Sequence, residues 1–173
     1  MAWAVMSIVC AHAESVATQT APALPTVFLP KNSLDADELA VIVNDEDPLS
    51  VQIAAYYQSK RNIPEKNMIH IKFVPGATIM SEAEFKKIKA TVDAKTPKKV
   101  QAYALTWTKP YRVDCMSITT AFAAGFDKKY CAEGCLPTKL TPYFHSSSIA
   151  PFKNFKLRPT MALAGANVEE VKE

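Results

Sequence analysis

The chain has 173 residues, 49% of them hydrophobic, and a formal net charge of +3. This length supports one ordinary domain with a real hydrophobic core. The net charge is too small to indicate a nucleic acid as the partner. Beyond the amino-terminal segment, no apolar run approaches the roughly 20 residues that a membrane-spanning helix needs.

The amino-terminal segment has features of an export signal. Residues 2–11 form a short apolar run, and Ala11-His12-Ala13 offers the small residues that signal peptidase accepts. The basic residues that usually precede such a run are missing, so we interpret residues 1–13 as a clipped signal peptide. Residues 14–33 are rich in Ala, Thr and Pro and predict a flexible linker. We therefore expect an exported protein, in the periplasm or at the cell surface.

The next part of the chain alternates between strand and helix patterns. The predicted strands are residues 39–43, 68–74 and 100–106, and the helices between them begin at Asp47-Pro48 and at Ser81. Strands and helices that alternate with short connections predict parallel pairing and right-handed crossovers. We therefore predict an α/β fold: a three-layer sandwich with a mostly parallel sheet of the flavodoxin-like or caspase-like βαβ type.

The pattern becomes irregular after Arg112. Residues 113–158 are rich in Cys, Gly, Pro, Ser and aromatic residues, and only residues 117–126 favour a short helix. A strand over residues 160–164 follows, and Asn167 is placed to cap a last helix. Because the sequence stops one turn into that helix, we expect a truncated domain, residues 34–173, with a sheet that is incomplete at the carboxyl end.

Three cysteines follow the predicted signal peptide: Cys115, Cys131 and Cys135. In an oxidising compartment two of them can pair and one is left over. A Cys131–Cys135 bridge closes a tight loop, whereas Cys115 paired with either of the others closes a longer one. The sequence leaves these pairings open. A zinc site needs a fourth ligand such as His145, and the spacing matches no standard pattern, so we expect no metal.

Polar residues gather where the predicted strands end. The carboxyl ends of parallel strands share one edge of a sheet, which is where ligands bind in open α/β folds. Acidic residues there can bind a hydroxyl or a cation, basic residues a carboxylate or phosphate, and aromatic residues a sugar or peptide ring. The candidate ligand-binding rim consists of Asn44, Asp45, Asp47, Trp107, Lys109, Tyr111 and Arg112.

Ordinary structural roles compete with this interpretation of the rim. Asp47 can be only a helix cap, Trp107 can belong to the core, and the two basic residues can be solvated or paired with the acidic turn. His70 alternates with apolar neighbours along its strand, so we interpret it as a partly solvated strand residue rather than a catalytic one.

No cofactor and no complete catalytic motif are indicated. The first turn, residues 44–48, has no glycine that would let a phosphate approach the backbone, and its acids repel phosphate. We therefore predict no nucleotide. Cys115 and His145 form an alternative nucleophile–base pair, although Cys115 has competing disulfide partners. The catalytic residues, if the protein is an enzyme, stay unknown at this point.

Five segments together resemble one uncharacterised family of exported bacterial proteins, whose members occur in genomes with exosortase-type protein-sorting systems. The segments are ELAVIVNDEDPLSVQIAAYY, RNIPEKNMIHIKF, AYALTWTKPYRVDCMSITTAFAAGFD, YCAEGC and LRPTMALAGANVEEVK. The resemblance runs from about Leu34 to the last residue. Members of that family are longer, which implies that this chain is an amino-terminal part.

The resemblance implies an exported α/β protein of unknown activity, linked to cell-surface protein sorting or to exopolysaccharide-associated envelope functions. The expected partner is a peptide, a glycan or an envelope protein. The alternative is a hydrolase or a cysteine-peptidase-like enzyme, because the βαβ opening is loosely similar to caspase-like and gingipain-like folds. No His–Cys dyad of those folds matches positions here, so its catalytic residues would lie mostly beyond this sequence.

Overall fold

A computed structural model describes residues 31–132 and 134–172. These residues belong to one structural unit, Lys31–Glu173. The predicted signal peptide, residues 1–13, lies outside the described residues, as does the predicted linker except for residues 31–33. The predictions for these segments therefore stay predictions.

The described residues form seven strands and five α-helices. In chain order these are β1 (Leu39–Asn44), α1 (Pro48–Arg61), β2 (Met68–Ile71), β3 (Ile79–Met80), α2 (Glu82–Lys95), β4 (Ala102–Leu105), β5 (Arg112–Val113), β6 (Met116–Ser117), α3 (Ile118–Ala124), α4 (Pro151–Phe155), β7 (Thr160–Ala162) and α5 (Val168–Lys172). Short 3-10 turns precede β1 and β2.

The main sheet has four parallel strands in the order β2-β1-β4-β7. Val41 of β1 lies in register with Met68 of β2 on one side and with Ala104 of β4 on the other. The connection from β2 to β4 crosses over β1, as the alternation of strands and helices predicts. The predicted side-by-side parallel arrangement of these strands is confirmed.

Helices cover both faces of this sheet, so the predicted three-layer α/β sandwich is confirmed. Alternate residues of β1 point to opposite faces, because side chains alternate along a strand. Ala40 and Ile42 join a large core with side chains of α2 and α3. Val41 and Val43 join a smaller core with side chains of α1. We call these two sides the α2/α3 face and the α1 face.

The capping residues expected from the sequence start the two long helices. The Asp47 carboxylate accepts a hydrogen bond from the Leu49 N–H at 3.0 Å, and Pro48 follows at the first helical position. The Ser81 hydroxyl accepts from the Glu84 N–H at 3.3 Å and so starts α2. Each cap satisfies a backbone donor that the first helical turn leaves without a partner.

The stretch predicted to be irregular, residues 113–158, contains regular elements. A second small sheet has the order β3-β5-β6, and α3 follows it directly. The Ser117 hydroxyl caps α3 by accepting from the Thr120 N–H at 3.1 Å. Gly125 ends α3 with a φ of 82°, a value that favours glycine. The alternation that marks longer strands is missing because β5 and β6 have two residues each.

Candidate functional site at the carboxyl edge of the sheet

The predicted rim lies at the point where the strand order reverses. From β1 the chain passes to β2 on one side, and from β2 it crosses to β4 on the other side. The carboxyl ends of β1 and β4 therefore lie at the position where open α/β sheets bind ligands. Asn44 is the last residue of β1, and Thr106 follows the last residue of β4.

Asn44 is fully buried and joins the end of β1 to the segment after β2. Its side-chain Nδ2 donates to the Phe73 carbonyl at 3.0 Å, and its Oδ1 accepts from the Phe73 N–H at 3.2 Å. The same Oδ1 accepts from the Glu46 N–H at 3.3 Å. The amide replaces a strand partner for Phe73, which explains why β2 ends at Ile71 rather than at Val74 as the sequence predicts. Asn44 is thus a structural member of the rim.

A pair of buried hydroxyls, those of Ser50 and Thr106, lies beneath the end of β1. The Ser50 hydroxyl lies 2.7 Å from the Thr106 hydroxyl and accepts from the Asn44 N–H at 3.0 Å. The Thr106 hydroxyl donates to the Ile42 carbonyl at 3.0 Å. This network ties α1 and the segment after β4 to β1. Because its buried polar groups are paired, it holds the acidic turn in one conformation.

Asp45 and His70 form an exposed pair above this network. The Asp45 Oδ1 lies 2.6 Å from the His70 Nδ1. An ionised carboxylate only accepts hydrogen bonds, so Nδ1 carries the proton and the other ring nitrogen, Nε2, is left for a ligand. The His70 side chain is 47% exposed and that of Asp45 is 32% exposed. A histidine oriented by a carboxylate can serve as a general base or as a hydrogen-bonding group for a ligand.

Two further predicted rim residues, besides Asn44, have structural positions. The Asp47 carboxylate caps α1, as described above. Trp107 is buried, with its ring edge-to-face against those of Phe73 and Phe122 at centroid distances of 5.1 and 5.8 Å. Its indole N–H donates to the Pro110 carbonyl at 3.2 Å. In this arrangement the Trp107 ring is not free to stack on a ligand.

The other three predicted rim residues lie in the segment after Trp107. Lys109 and Arg112 are exposed, and Tyr111 is 52% exposed. The Tyr111 N–H donates to the Thr78 carbonyl at 3.2 Å, which holds this segment beside the one that follows β2. Within residues 31–132 and 134–172, neither Lys109 nor Arg112 forms an ion pair. Both cations are therefore free to bind an anionic group.

The structure shows which of the three cysteines are paired, a question that the sequence leaves open. Cys115 and Cys131 form a disulfide, and Cys135 is an exposed free thiol. Cys115 follows β5, and Cys131 packs at the border of the large core. A sulfur in a disulfide is not a nucleophilic thiolate. The alternative pair of Cys115 with His145 is therefore wrong for this state of the protein.

The described residues contain neither a metal-binding cluster nor a membrane-spanning helix. No group of three or more His, Cys, Asp and Glu side chains in this part of the chain could hold a metal ion. Nor does any helix within it have the length and apolar character required to cross a bilayer.

Sequence reasoning missed three members of the site: Ser50, His70 and Thr106. Ser50 looks like an ordinary helix residue, and Thr106 like the end of a strand. Their contact joins residues 56 positions apart, so it becomes visible only when β1 and β4 are paired. The available signal for His70 is the pairing of β1 with β2, which places Val43 opposite His70 and so brings Asp45 within reach.

Comparison with known proteins adds no relative. The chain matches no protein-family model, and comparison with curated proteins and with solved structures gives no significant match. The resemblance to the exosortase-associated family therefore stays a prediction.

Proposed function

We propose that this protein is an exported α/β domain that binds a peptide or glycan of the cell envelope at the carboxyl edge of its sheet. In this proposal it serves cell-surface protein sorting or an exopolysaccharide-associated envelope function. The observation that carries the proposal is the contrast within the rim: a fully paired buried network fixes the turn, while Asp45 and His70 above it stay open to solvent.

Such a rim is suited to binding because its acidic turn is held in place before a ligand arrives. Ordering groups on binding costs free energy, so a turn that is already fixed leaves more of the contact energy for affinity. Asp45 offers a carboxylate, and Lys109 and Arg112 offer cations without an ion-pair partner in the described part of the chain. Peptides and glycans both present hydroxyl, amide and carboxylate groups that such residues bind.

The disulfide supports the export part of the proposal. Cys115 and Cys131 form a disulfide in a domain that also has a well-formed hydrophobic core. Disulfides persist in oxidising compartments and are rare in the cytosol. This agrees with the export signal predicted over residues 1–13.

A titration followed by amide NMR tests the binding proposal. The 173-residue chain, labelled with ¹⁵N, is titrated with sets of envelope-derived peptides and oligosaccharides. We expect one class of ligand to shift the amides of residues 44–47, 70–76 and 106–112 in a saturable manner. Arg112→Gln should weaken the binding of that ligand, whereas Lys86→Gln, on the exposed side of α2, should leave its binding unchanged. Shifts confined to other regions would contradict the proposed site.

The Asp45–His70 pair favours hydrolysis as a second candidate function. In a hydrolase of this kind, His70 Nε2 takes a proton from water while the water oxygen attacks the carbonyl carbon of a peptide amide or a glycan ester. The tetrahedral adduct then breaks its bond to the amine or alcohol, which leaves with the proton that the His70 imidazolium returns. Turnover of a peptide or glycan substrate should then be lost in His70→Ala and kept in His145→Ala, whose side chain is exposed elsewhere. The binding proposal instead expects no turnover by this chain, so this result would replace it.

A further inference from the structure

A cavity of about 590 Å³ opens at the opposite edge of the sheet, on the α1 face. It lies where β1, β4 and β7 begin and where α1 ends. Its walls are mainly apolar and include Leu34, Leu39, Tyr57, Ile63 and Met161. Pockets of roughly 300–1,000 Å³ with mostly apolar walls and a few polar groups are typical sites for small molecules.

The cavity exists because α1 covers only part of this face. α1 packs on β1, and its buried side chains Ile53 and Ala54 lie near that strand. Among the described α-helices, α1 alone contributes residues to the wall of the cavity, namely Tyr57 and Arg61. Ala102 fills little space there, and Met161 of β7 is 41% exposed. An apolar surface is therefore left open to solvent in a concave form.

One charged group in the wall has no acidic partner. Arg61, in the last turn of α1, lies with its guanidinium 5.8 Å from the centre of the Tyr57 ring. No carboxylate pairs with it within residues 31–132 and 134–172. The acid in the wall, Asp35, is paired at 2.8 Å with Lys31, which also pairs with Glu38. The cavity therefore combines an apolar wall with the Arg61 guanidinium, which can donate hydrogen bonds to an anion.

We propose that this cavity binds a small amphipathic anion, such as the ionised form of a medium-chain carboxylic acid. The hydrocarbon part lies against Leu39, Ile63 and Met161, and the carboxylate binds the Arg61 guanidinium. A guanidinium matches a carboxylate with two parallel hydrogen bonds, and the apolar wall excludes ligands that are charged along their whole length. This site is separate from the rim at the carboxyl edge, so either can fail without the other.

Calorimetric titration of the 173-residue chain with dodecanoate, below its micelle concentration, tests the site. We expect saturable binding of one dodecanoate per chain, and weaker binding of dodecanol and of dodecyltrimethylammonium. Arg61→Gln should lower the affinity for dodecanoate about tenfold or more, because a hydrogen bond to a charged group is lost. Lys60→Gln, the neighbouring cation outside the cavity wall, should change the affinity less than about twofold.

A second matched pair tests the apolar wall. Met161→Glu places a like charge beside the bound anion and should lower the affinity for dodecanoate at least about tenfold. Val51→Glu changes a side chain of α1 that has the same 41% exposure and lies outside the cavity, so it should bind normally. Circular dichroism confirms that each variant is folded. Dodecanol binding as tightly as dodecanoate, an unchanged affinity in Arg61→Gln, or one ligand shared by two chains would each overturn the proposal.

Discussion

The two faces of the sheet are closed to different degrees. On the α2/α3 face, the rings of Phe85, Phe122 and Trp107 meet edge-to-face in a large continuous core. On the α1 face, a smaller core lies beside an open cavity. The same strands supply both faces, so the difference comes from what covers them. A sheet alone does not determine where a protein leaves space for a ligand.

The segment after β4 explains the closed face. It sends Trp107 into the core, supplies two of the three strands of the small second sheet, and continues into α3, whose Phe122 is buried. The Cys115–Cys131 disulfide then holds the next loop against the same core. On the α1 face, the beginnings of β1, β4 and β7 line the cavity instead. This contrast predicts which substitutions are costly and which are tolerated.

The largest expected effect is on the closed face. Phe122→Ala should lower the free energy of unfolding by about 3–5 kcal/mol, because it removes a buried ring and leaves a cavity. Met161→Ala, on the open face, should change it by less than about 0.5 kcal/mol, since that side chain is partly exposed. Urea unfolding followed by fluorescence measures both. Equal losses in the two variants would show that the faces are equally packed.

Both faces of the sheet show what local signals in the sequence can predict about a fold. The predictions for β1, α1 and α2 hold because their signals are local: an apolar β-branched run, a capping Asp before Pro48, and a capping Ser81. The second sheet was not predicted, since its strands of two residues are too short to show alternation. Its existence depends on contacts between β3 and β5, which lie far apart in sequence.

Removing the disulfide should have the next largest effect. The bridge joins residues separated by 16 positions. A closed loop of this size is worth about 3 kcal/mol, mainly through the unfolded chain. The double variant Cys115→Ser/Cys131→Ser should lose about that amount, whereas Cys135→Ser should leave stability unchanged, since Cys135 is free and exposed.

Peptide mapping without reductant provides an independent check of the pairing. We expect Cys135 to be alkylated, and the peptides that contain Cys115 and Cys131 to remain linked. Alkylation of all three residues in protein recovered from the cell envelope would contradict the proposed oxidising compartment.

A pH titration gives the third effect and again concerns the closed face. Burial raises the pKa of Tyr103 to about 12, while Arg158 acts in the opposite direction. The neutral phenol is favoured by the fold, so its contribution to stability is complete below about pH 10 and is lost as the pH rises towards 12. Relative to Tyr103→Phe, the wild-type chain should lose roughly 2–3 kcal/mol over this range, at about 1.4 kcal/mol per pKa unit.

The exposed Tyr111 supplies the control for this titration. Its ring is 52% exposed, so Tyr111→Phe should lose stability above pH 10 as the wild-type chain does. Unfolding in urea at several pH values between 9 and 12 measures each variant. If Tyr103→Phe kept the wild-type dependence on pH, another group would be responsible for it.

The rim was predictable in position but not in composition. Parallel pairing places the carboxyl ends of β1 and β4 together, and that follows from the pattern of elements. Whether a side chain at the rim points into the core or into solvent depends on three-dimensional packing. Asn44 and Trp107 are therefore structural, although their residue types suit a ligand site equally well. His70 looked like an ordinary strand residue because its partner Asp45 lies on another strand end.

The smallest effect distinguishes a structural from a functional role for Asp47. Asp47→Ala should lower the free energy of unfolding by about 1 kcal/mol, because the Leu49 N–H loses its acceptor at the start of α1. Asp47→Asn keeps a side-chain oxygen at the same position, so it should retain most of the stability while losing the charge. If the rim ligand binds Asp47→Asn as tightly as the wild type, Asp47 acts only as a cap. Weaker binding by a variant of unchanged stability would instead place its charge in the site, because the α1 face would then be intact and only the electrostatics of the rim would differ.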